Sequence, residues 1–442
     1  MTALRELTQD DLIEYVTAQR WYGSKGREVA AASVVDQVEL PGLTLALVEV
    51  VFPEGTHEIY QLISGEKLEG LADPAVAREL VHLIRTGRAQ RTAGEGTVVF
   101  EHVEGFAGLG SELTDARMND AEQSNSSVVF DDALFLKTFR RLEPGTNPEL
   151  EMLRFLTLHG FANIPPLGGW YAYAGPPFEA TLGILQEFVP QATDGWELAL
   201  DELAEEPDRF LDRLRGLGEV IGSMHAALAS DETDPNFSPE TPSLEALGLL
   251  TASVDEEIEQ LFFSLPRDLP ALEPIMGRGE EIRDRLRQLT HAGTTGKAIR
   301  NHGDLHLGQT LATEDAGWVI LDFEGEPARS LAQRRRKRSP LRDVAGMLRS
   351  FAYAASAVAF LRGSEAPSGW EERARSEFLG GYLETVDPAI VPAGQEQFEK
   401  LIAVFELEKA VYELRYELSM RPDWLAIPVA GILRMLEEQV RT

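Results

Sequence analysis

The stretch His302-Gly303-Asp304-Leu305-His306-Leu307-Gly308-Gln309 decides the reading of this chain, together with Asp322, thirteen residues beyond Gln309 in VILDFEGEP. A loop aspartate, an amide side chain five residues later and an aspartate at the end of the next strand form the set that phosphoryl transfer needs. The Asp304 carboxylate can orient an acceptor hydroxyl and take its proton. Gln309 and Asp322 carry the hard oxygens that hold Mg²⁺ on nucleotide phosphates. His302 and His306 stand four apart, which mimics a zinc pair. They lie between strand-like runs rather than on a helix, and no third ligand is evident, so a metallohydrolase is an alternative with little behind it.

Around this core the chain has 442 residues, with 43% apolar and 26% charged side chains, enough for two or three units with substantial cores. Forty-one basic against 73 acidic residues give a net charge of −32. So acidic a surface repels phosphate backbones and anionic lipid, which argues against nucleic-acid and membrane roles. Without cysteine there are no disulfides, thiolate metal sites or cysteine nucleophiles. MTALRELTQDDLIEYV lacks an apolar signal core, and the chain is expected to be soluble and cytoplasmic.

The pattern along the chain predicts a helix over Thr8–Gln19, with Leu12, Tyr15 and Val16 on one face, and then strands at Ala32–Leu40, Leu43–Phe52 and Glu58–Ser64. A second strand cluster runs from Gly96 to Phe139, a helix is expected over Asn147–His159, and GILQEFVP (183–190) reads as a strand. Beyond Gln191 helical periodicity dominates, at 208–229, 253–264, 278–290, 341–362, 370–386 and 393–439 with a break at Pro422. The expected fold class is α+β and bilobal. Residues 1–90 are expected to form a small sheet-containing unit, 91–190 a second strand-rich part and 191–442 a helical lobe.

The HGD loop with an amide five positions on resembles the catalytic loop of protein kinase-like phosphotransferases, closest in form to the aminoglycoside and choline phosphotransferase branch. Gln309 stands where that branch usually has Asn, and Asp322-Phe323-Glu324 replaces the kinase DFG. Such a site needs an upstream strand lysine to hold ATP phosphates. Lys137 in ALFLKTF supplies it, with Glu149 or Glu151 as its carboxylate partner and Glu151 favoured. No GxGxxG precedes Lys137. The small polar run Gln123, Ser124, Asn125, Ser126, Ser127 is the candidate phosphate-covering loop, and backbone groups from Glu187 to Val189 are the candidate adenine contacts. GTTGK (293–297) is too short for a Walker A loop, and GLG (108–110) has no Rossmann frame.

Further segments are similar to the maltokinase family: QRWYGSKGR, AEQSNSS, LKTFRRLEPGTNPELE, HGDLHLGQ, LDFEGEPARS, SPLRDVAGMLRSFAYA and EKAVYELRYELSMRPDWLAIP, spread from Gln19 to Pro428. The resemblance implies ATP-dependent phosphorylation of maltose at its anomeric hydroxyl, an N-terminal cap, and kinship with actinobacterial glucosamine kinases. A small-molecule sugar is then the partner, ATP and Mg²⁺ the cofactors, and the protein a monomer or dimer. Sugar contacts are expected from His306 and from Glu408, Tyr412, Glu413, Tyr416 and Trp424, because carboxylates and aromatic faces suit pyranose rings. The alternatives are a glucosamine kinase forming glucosamine 6-phosphate and, in another class, a catalytically silent kinase-like module docking on a trehalose synthase-type partner. Asp343 is expected to cap the next helix and brace the loop, and His225 to be a packed helix residue. Arg334–Arg338 (RRRKR), a basic block in an acidic chain, reads as a solvated loop or as an attractor for nucleotide or an acidic neighbour.

Overall fold

A computed structural model describes all residues except 1–3, 5, 6, 111, 120–123, 177, 290–295, 315, 316, 328 and 438–442. The chain divides into two compact units, one of Met1–Leu158 with Ile164–Gln191 and one of His159–Asn163 with Ala192–Thr442.

The first unit contains α1 (Gln9–Ala18), β1 (Ala31–Leu40), β2 (Leu43–Val51), β3 (His57–Ser64), α2 (Pro74–Thr86), β4 (Ala89–Arg91), β5 (Thr97–His102), β6 (Arg117–Asn119), β7 (Ser126–Phe130), β8 (Leu134–Thr138), β9 (Arg141–Leu142), α3 (Pro148–Leu158), β10 (Leu167–Ala174) and β11 (Ala180–Glu187). Thr8 and Asp11 close a capping box at the start of α1, and the helix buries Leu12 and Val16. The turn Pro41-Gly42 joins β1 to β2, with Gly42 at φ 74°, a left-handed position that glycine adopts without strain.

Two antiparallel sheets result. One has the order β1-β2-β3-β9, the other β4-β5-β10-β11-β8-β7-β6. The short β9 thus belongs to the cap sheet although it follows β8 of the other sheet. Next to it Arg140 is fully buried. Its guanidinium donates to Ser126 Oγ at 2.7 Å and to the Glu69 carboxylate, and lies 5.2 Å from the Trp21 ring centroid. Gln61 Nε2 donates to the carbonyls of Phe139 (2.9 Å) and Leu182 (2.7 Å).

The second unit contains β12 (Thr193–Asp194), α4 (Gly195–Glu205), α5 (Pro207–Leu228), α6 (Leu244–Ser264), α7 (Gly279–Leu289), β13 (Thr310–Thr313), β14 (Gly317–Ile320), α8 (Leu331–Arg334), α9 (Leu341–Leu361), α10 (Trp370–Thr385), α11 (Gln395–Met420) and α12 (Ala426–Glu437). α9 is long and apolar enough to cross a membrane, but two-thirds of its apolar window is buried here as a core helix. α5 and α10 pack closely, because a Cβ at Gly218 or Gly381 would sit 2.0 or 1.9 Å from the backbone of the facing helix. A second core cluster unites α6, α7, α11 and α12 through Ile258, Ile282, Val411 and Ile432.

These elements match the expected α+β class, with a sheet-rich first part and a helical second part. Those not expected from the sequence include α2, α4, β4, β9, β10, β12 and α8, and α6 is longer than expected. α2 has one strongly apolar face, which contributes Val76, Leu80, Val81 and Ile84 to the core. β10 carries a glycine pair just after its first residue, Leu167, and those glycines are needed because Phe106 and Ile84 would lie 2.6 and 2.4 Å from a Cβ at Gly168 and Gly169. α6 starts at Leu244, nine residues earlier than its periodicity suggests.

Candidate active site

In the first unit, β8 carries Lys137 into the interior, where its ammonium lies 2.8 Å from Glu149 Oε2. Both side chains are almost wholly buried, at 4% and 3% exposure. The expected preference for Glu151 is thereby corrected. Asn147 accepts the Glu149 amide at 2.8 Å, so α3 starts at Pro148 and Glu149 falls on its inward face. Glu151, two residues on and about 200° around the helix, faces elsewhere and is half-buried.

The candidate phosphate-covering loop is shorter than expected. Gln123 lies outside the described residues. Ser124 is exposed and Asn125 half-buried. Ser126 and Ser127 are not loop residues: they open β7 and pair with Thr138 and Lys137. Ser126 Oγ is engaged by Arg140 at 2.7 Å. At the end of β11 the amides of Glu187 and Phe188 are already spent, on the carbonyls of Pro166 (3.0 Å) and Ala133 (2.8 Å). Val189 follows them, half-buried.

In the second unit the HGD loop is fixed from both sides. Asp343, buried at the start of α9, accepts from the amides of His302 (2.7 Å) and Gly303 (2.9 Å) and from His225 Nε2 (3.1 Å). His225 Nδ1 in turn meets the Tyr382 hydroxyl at 3.1 Å. Burial pushes the Asp343 carboxyl up, but its hydrogen bond with His225 and the neighbouring imidazoles outweigh this and hold it below the usual range. Asp343 therefore braces the loop rather than capping a helix, and His225 is a member of that brace.

His302 Nε2 donates to the Leu321 carbonyl at 2.7 Å while its Nδ1 accepts the Asp304 amide at 3.3 Å. One imidazole thus ties the HGD loop to the residue before Asp322. Asp322 takes a left-handed φ of 59°, and Gln309 Nε2 donates to its Oδ2 at 3.1 Å. The two side chains share one locus, and both carry oxygens of the kind that hold Mg²⁺.

The Asp304 carboxylate accepts from Lys409 Nζ of α11 at 3.0 Å. Burial raises the Asp304 carboxyl, but Lys409, His306 and His302 together bring it below the ordinary value. Burial also keeps His306 below its usual value, so it is neutral near pH 7. Lys409, held charged by Asp304 and Glu326 against its burial, was missed from sequence. A signal was available: it is the only lysine after Lys400, and it stands three and four residues before Tyr412 and Glu413 on a helix.

His306, Tyr412, Glu413, Tyr416 and Trp424 line one cavity of about 510 Å³, together with Lys409, Trp196 and Tyr353. Glu408 does not line it. It turns into the narrow crevice at Asp304, paired with Arg342 at 2.6 Å. Its expected sugar contact is corrected accordingly: Lys409, about 100° further round α11, lines both the crevice and the larger cavity, and Glu408 only the crevice of the two. Glu413 lines the cavity, but its charge is matched by the buried Arg349, with contacts of 3.1 and 2.7 Å.

Residues 15–97 match the maltokinase N-terminal cap domain. A glucosamine kinase of Streptacidiphilus jiangxiensis is 26% identical over 448 residues, covering 94% of this chain and 98% of the relative. One of Mycolicibacterium smegmatis is 28% identical over 345 residues, covering 73% and 79%. The chain thus carries a segment like the maltokinase cap and is similar over most of its length to curated glucosamine kinases. Its fold agrees with that of a solved glucosamine kinase in complex with glucosamine, ADP and inorganic phosphate, at TM-score 0.71 and 21% identity over 96% of this chain and 98% of that one. A second crystal form gives 0.72 and 22% over 96% and 99%. The segment that matches the cap falls within the first unit, and the HGD loop, Asp322 and Lys409 lie in the second.

Proposed function

We propose that the chain is an ATP-dependent sugar kinase that phosphorylates maltose at its anomeric hydroxyl. The relatives' activity supports the general reading, sugar phosphotransfer. The observation that carries the neutral acceptor is Lys409, whose ammonium lies 3.0 Å from Asp304 at the edge of an aromatic-walled cavity. A cation already occupies the carboxylate that receives the acceptor. A sugar ammonium placed about 4 Å from Lys409 would meet about 4 kcal/mol of repulsion at an effective dielectric of about 20. A neutral hydroxyl meets none. The volume and the rings of Trp196, Tyr353, Tyr412, Tyr416 and Trp424 suit two stacked pyranoses.

In this reading Asp304 aligns the anomeric hydroxyl and accepts its proton as the oxygen attacks the γ-phosphorus of ATP. The new O–P bond replaces the β–γ bridge, and ADP leaves. Lys409 keeps Asp304 ionised and in place, and neutral His306 hydrogen-bonds the acceptor. Lys137, positioned by Glu149, would hold the nucleotide phosphates, and backbone near Ser124, Asn125 and Val189 would meet the nucleotide. Asp322 and Gln309 would hold Mg²⁺, which supplies charge neutralisation on the phosphates when bound. Residues 1–90 are proposed as the cap, 91–190 as the nucleotide-binding part and 191–442 as the part that takes the sugar.

Glucosamine is the second reading, favoured by the names of the two curated relatives and by the ligand of the solved glucosamine kinase. The test is ADP release with ATP and Mg²⁺ against maltose, glucose, glucosamine and trehalose, with the product resolved by NMR. Maltose-dependent release with an anomeric phosphate is expected. Release with glucosamine and none with maltose refutes the neutral-acceptor reading, and release with no sugar removes the kinase reading itself.

A further inference from the structure

The basic block RRRKR is not used by the proposed reaction. Its Arg336, Lys337 and Arg338 line a cavity of about 580 Å³, together with Arg329 and Arg342. Five basic side chains face three carboxylates there, Glu240, Glu257 and Glu408, in a chain whose net charge is −32. Two carboxylates are already committed: Lys337 pairs with Glu240 at 2.7 Å, and Arg342 with Glu408 at 2.6 Å, with Arg329 sharing Glu408 at 3.7 Å. Glu257 faces Arg415 at 3.9 Å.

Arg338 is left over. Among the described residues no carboxylate lies within ion-pair distance of it, and its guanidinium makes one long contact, to the Gln333 carbonyl at 3.5 Å. Burial, and then the charges of Arg342 and Arg329, push its pKa down to about 10. Arg336 is exposed on the same cavity. The hydroxyls of Ser253 and Ser339 line the cavity as neutral donors. A half-buried guanidinium crowded by like charge, with hydroxyls beside it, is complementary to a compact dianion.

We propose that this cavity binds a phosphomonoester, with Arg338 and Arg336 as the ligands of the phosphate. Arg329, Arg342 and Glu408 line both this cavity and the crevice at Asp304, so the ligand shares a wall with the HGD loop. The site does not depend on which sugar accepts phosphate. Its ligand can be free phosphate or a phosphorylated sugar, and the shared chemistry is the phosphate dianion.

The test is calorimetric titration of the full chain with inorganic phosphate and, separately, with α-D-glucose 1-phosphate at low ionic strength. Binding of either is expected, weakened about tenfold or more in the Arg336→Gln/Arg338→Gln variant because two charge-assisted hydrogen bonds are lost. The stronger binder of the two identifies the source. The thermal shift with ATP and Mg²⁺ should match wild type, which shows that the variant is folded. Arg336→Gln alone, at an exposed position, should give an intermediate loss. Absence of binding, an affinity unchanged in the double variant, or displacement by ADP would each overturn the proposal.

Discussion

Replacing Lys409 by Met tests the electrostatics of the site most directly. Lys409 Nζ and Asp304 Oδ1 are 3.0 Å apart, with side-chain exposures of 19% and 22%. At that separation and an effective dielectric of about 20, Coulomb's law gives about 5–6 kcal/mol. Part of this offsets the burial of the carboxylate, and part is screened by water. The net worth of a hydrogen bond to a charged group, about 1.5–3 kcal/mol, is the better guide and corresponds to about 1–2 pK units. The sign follows from the cause: Lys409 lowers the Asp304 pKa, so its removal raises it. In the proposed mechanism the ionised form is the active one, so the acidic limb of the kcat/KM profile, measured with the sugar that the ADP-release assay identifies, should move up by about 1–2 pH units. Lys409→Arg, which keeps the charge, should leave the limb near its wild-type position. If Lys409→Met lowers the rate at every pH without moving the limb, Lys409 acts by position alone and the electrostatic argument is wrong.

Asp304→Asn should reduce turnover by several orders of magnitude in the ADP-release assay while leaving the ATP-dependent thermal shift in place. Lys137→Met breaks a buried ion pair; urea unfolding should show a loss of about 3–5 kcal/mol, and the nucleotide-dependent shift should shrink. Asp343→Asn removes the carboxylate that holds the His302 and Gly303 amides. Because the folded Asp343 pKa is depressed, its contribution is present above about pH 4 and disappears as the pH falls through the folded value. Urea midpoints from pH 3 to 7 should accordingly fall less steeply on acidification in Asp343→Asn than in wild type.

Much of the site lay open in the sequence because its parts are local. His302 to Gln309 and Asp322 flank one hairpin, β13–β14, and Lys137 stands out as a charge inside an apolar strand. What escaped depends on distant or rotational facts. Lys409 and Asp304 are 105 residues apart, and no local pattern couples them. Glu149 and Glu151 share a segment, and only the starting phase of α3 decides which faces inward. Glu408 and Lys409 are neighbours that both line the crevice at Asp304, yet only Lys409 also reaches the larger aromatic cavity. For Asp343 the expected brace of the loop 40 residues earlier is observed, and only the expected helix cap is not.

The placement of β9 and Arg140 bears on how this protein was assembled. A cap added as an independent module would meet the rest of the chain at a linker and could be cut away there. Here the cap sheet takes its last strand from beyond Lys137, and the next residue back along the chain, Arg140, sends its guanidinium to Ser126, Glu69 and the Trp21 ring. Deleting the first 90 residues would strand β9 as a bare edge and remove two of that arginine's partners. The cap sheet is thus joined to the rest of its unit by an exchanged strand and a shared buried arginine rather than by a linker alone.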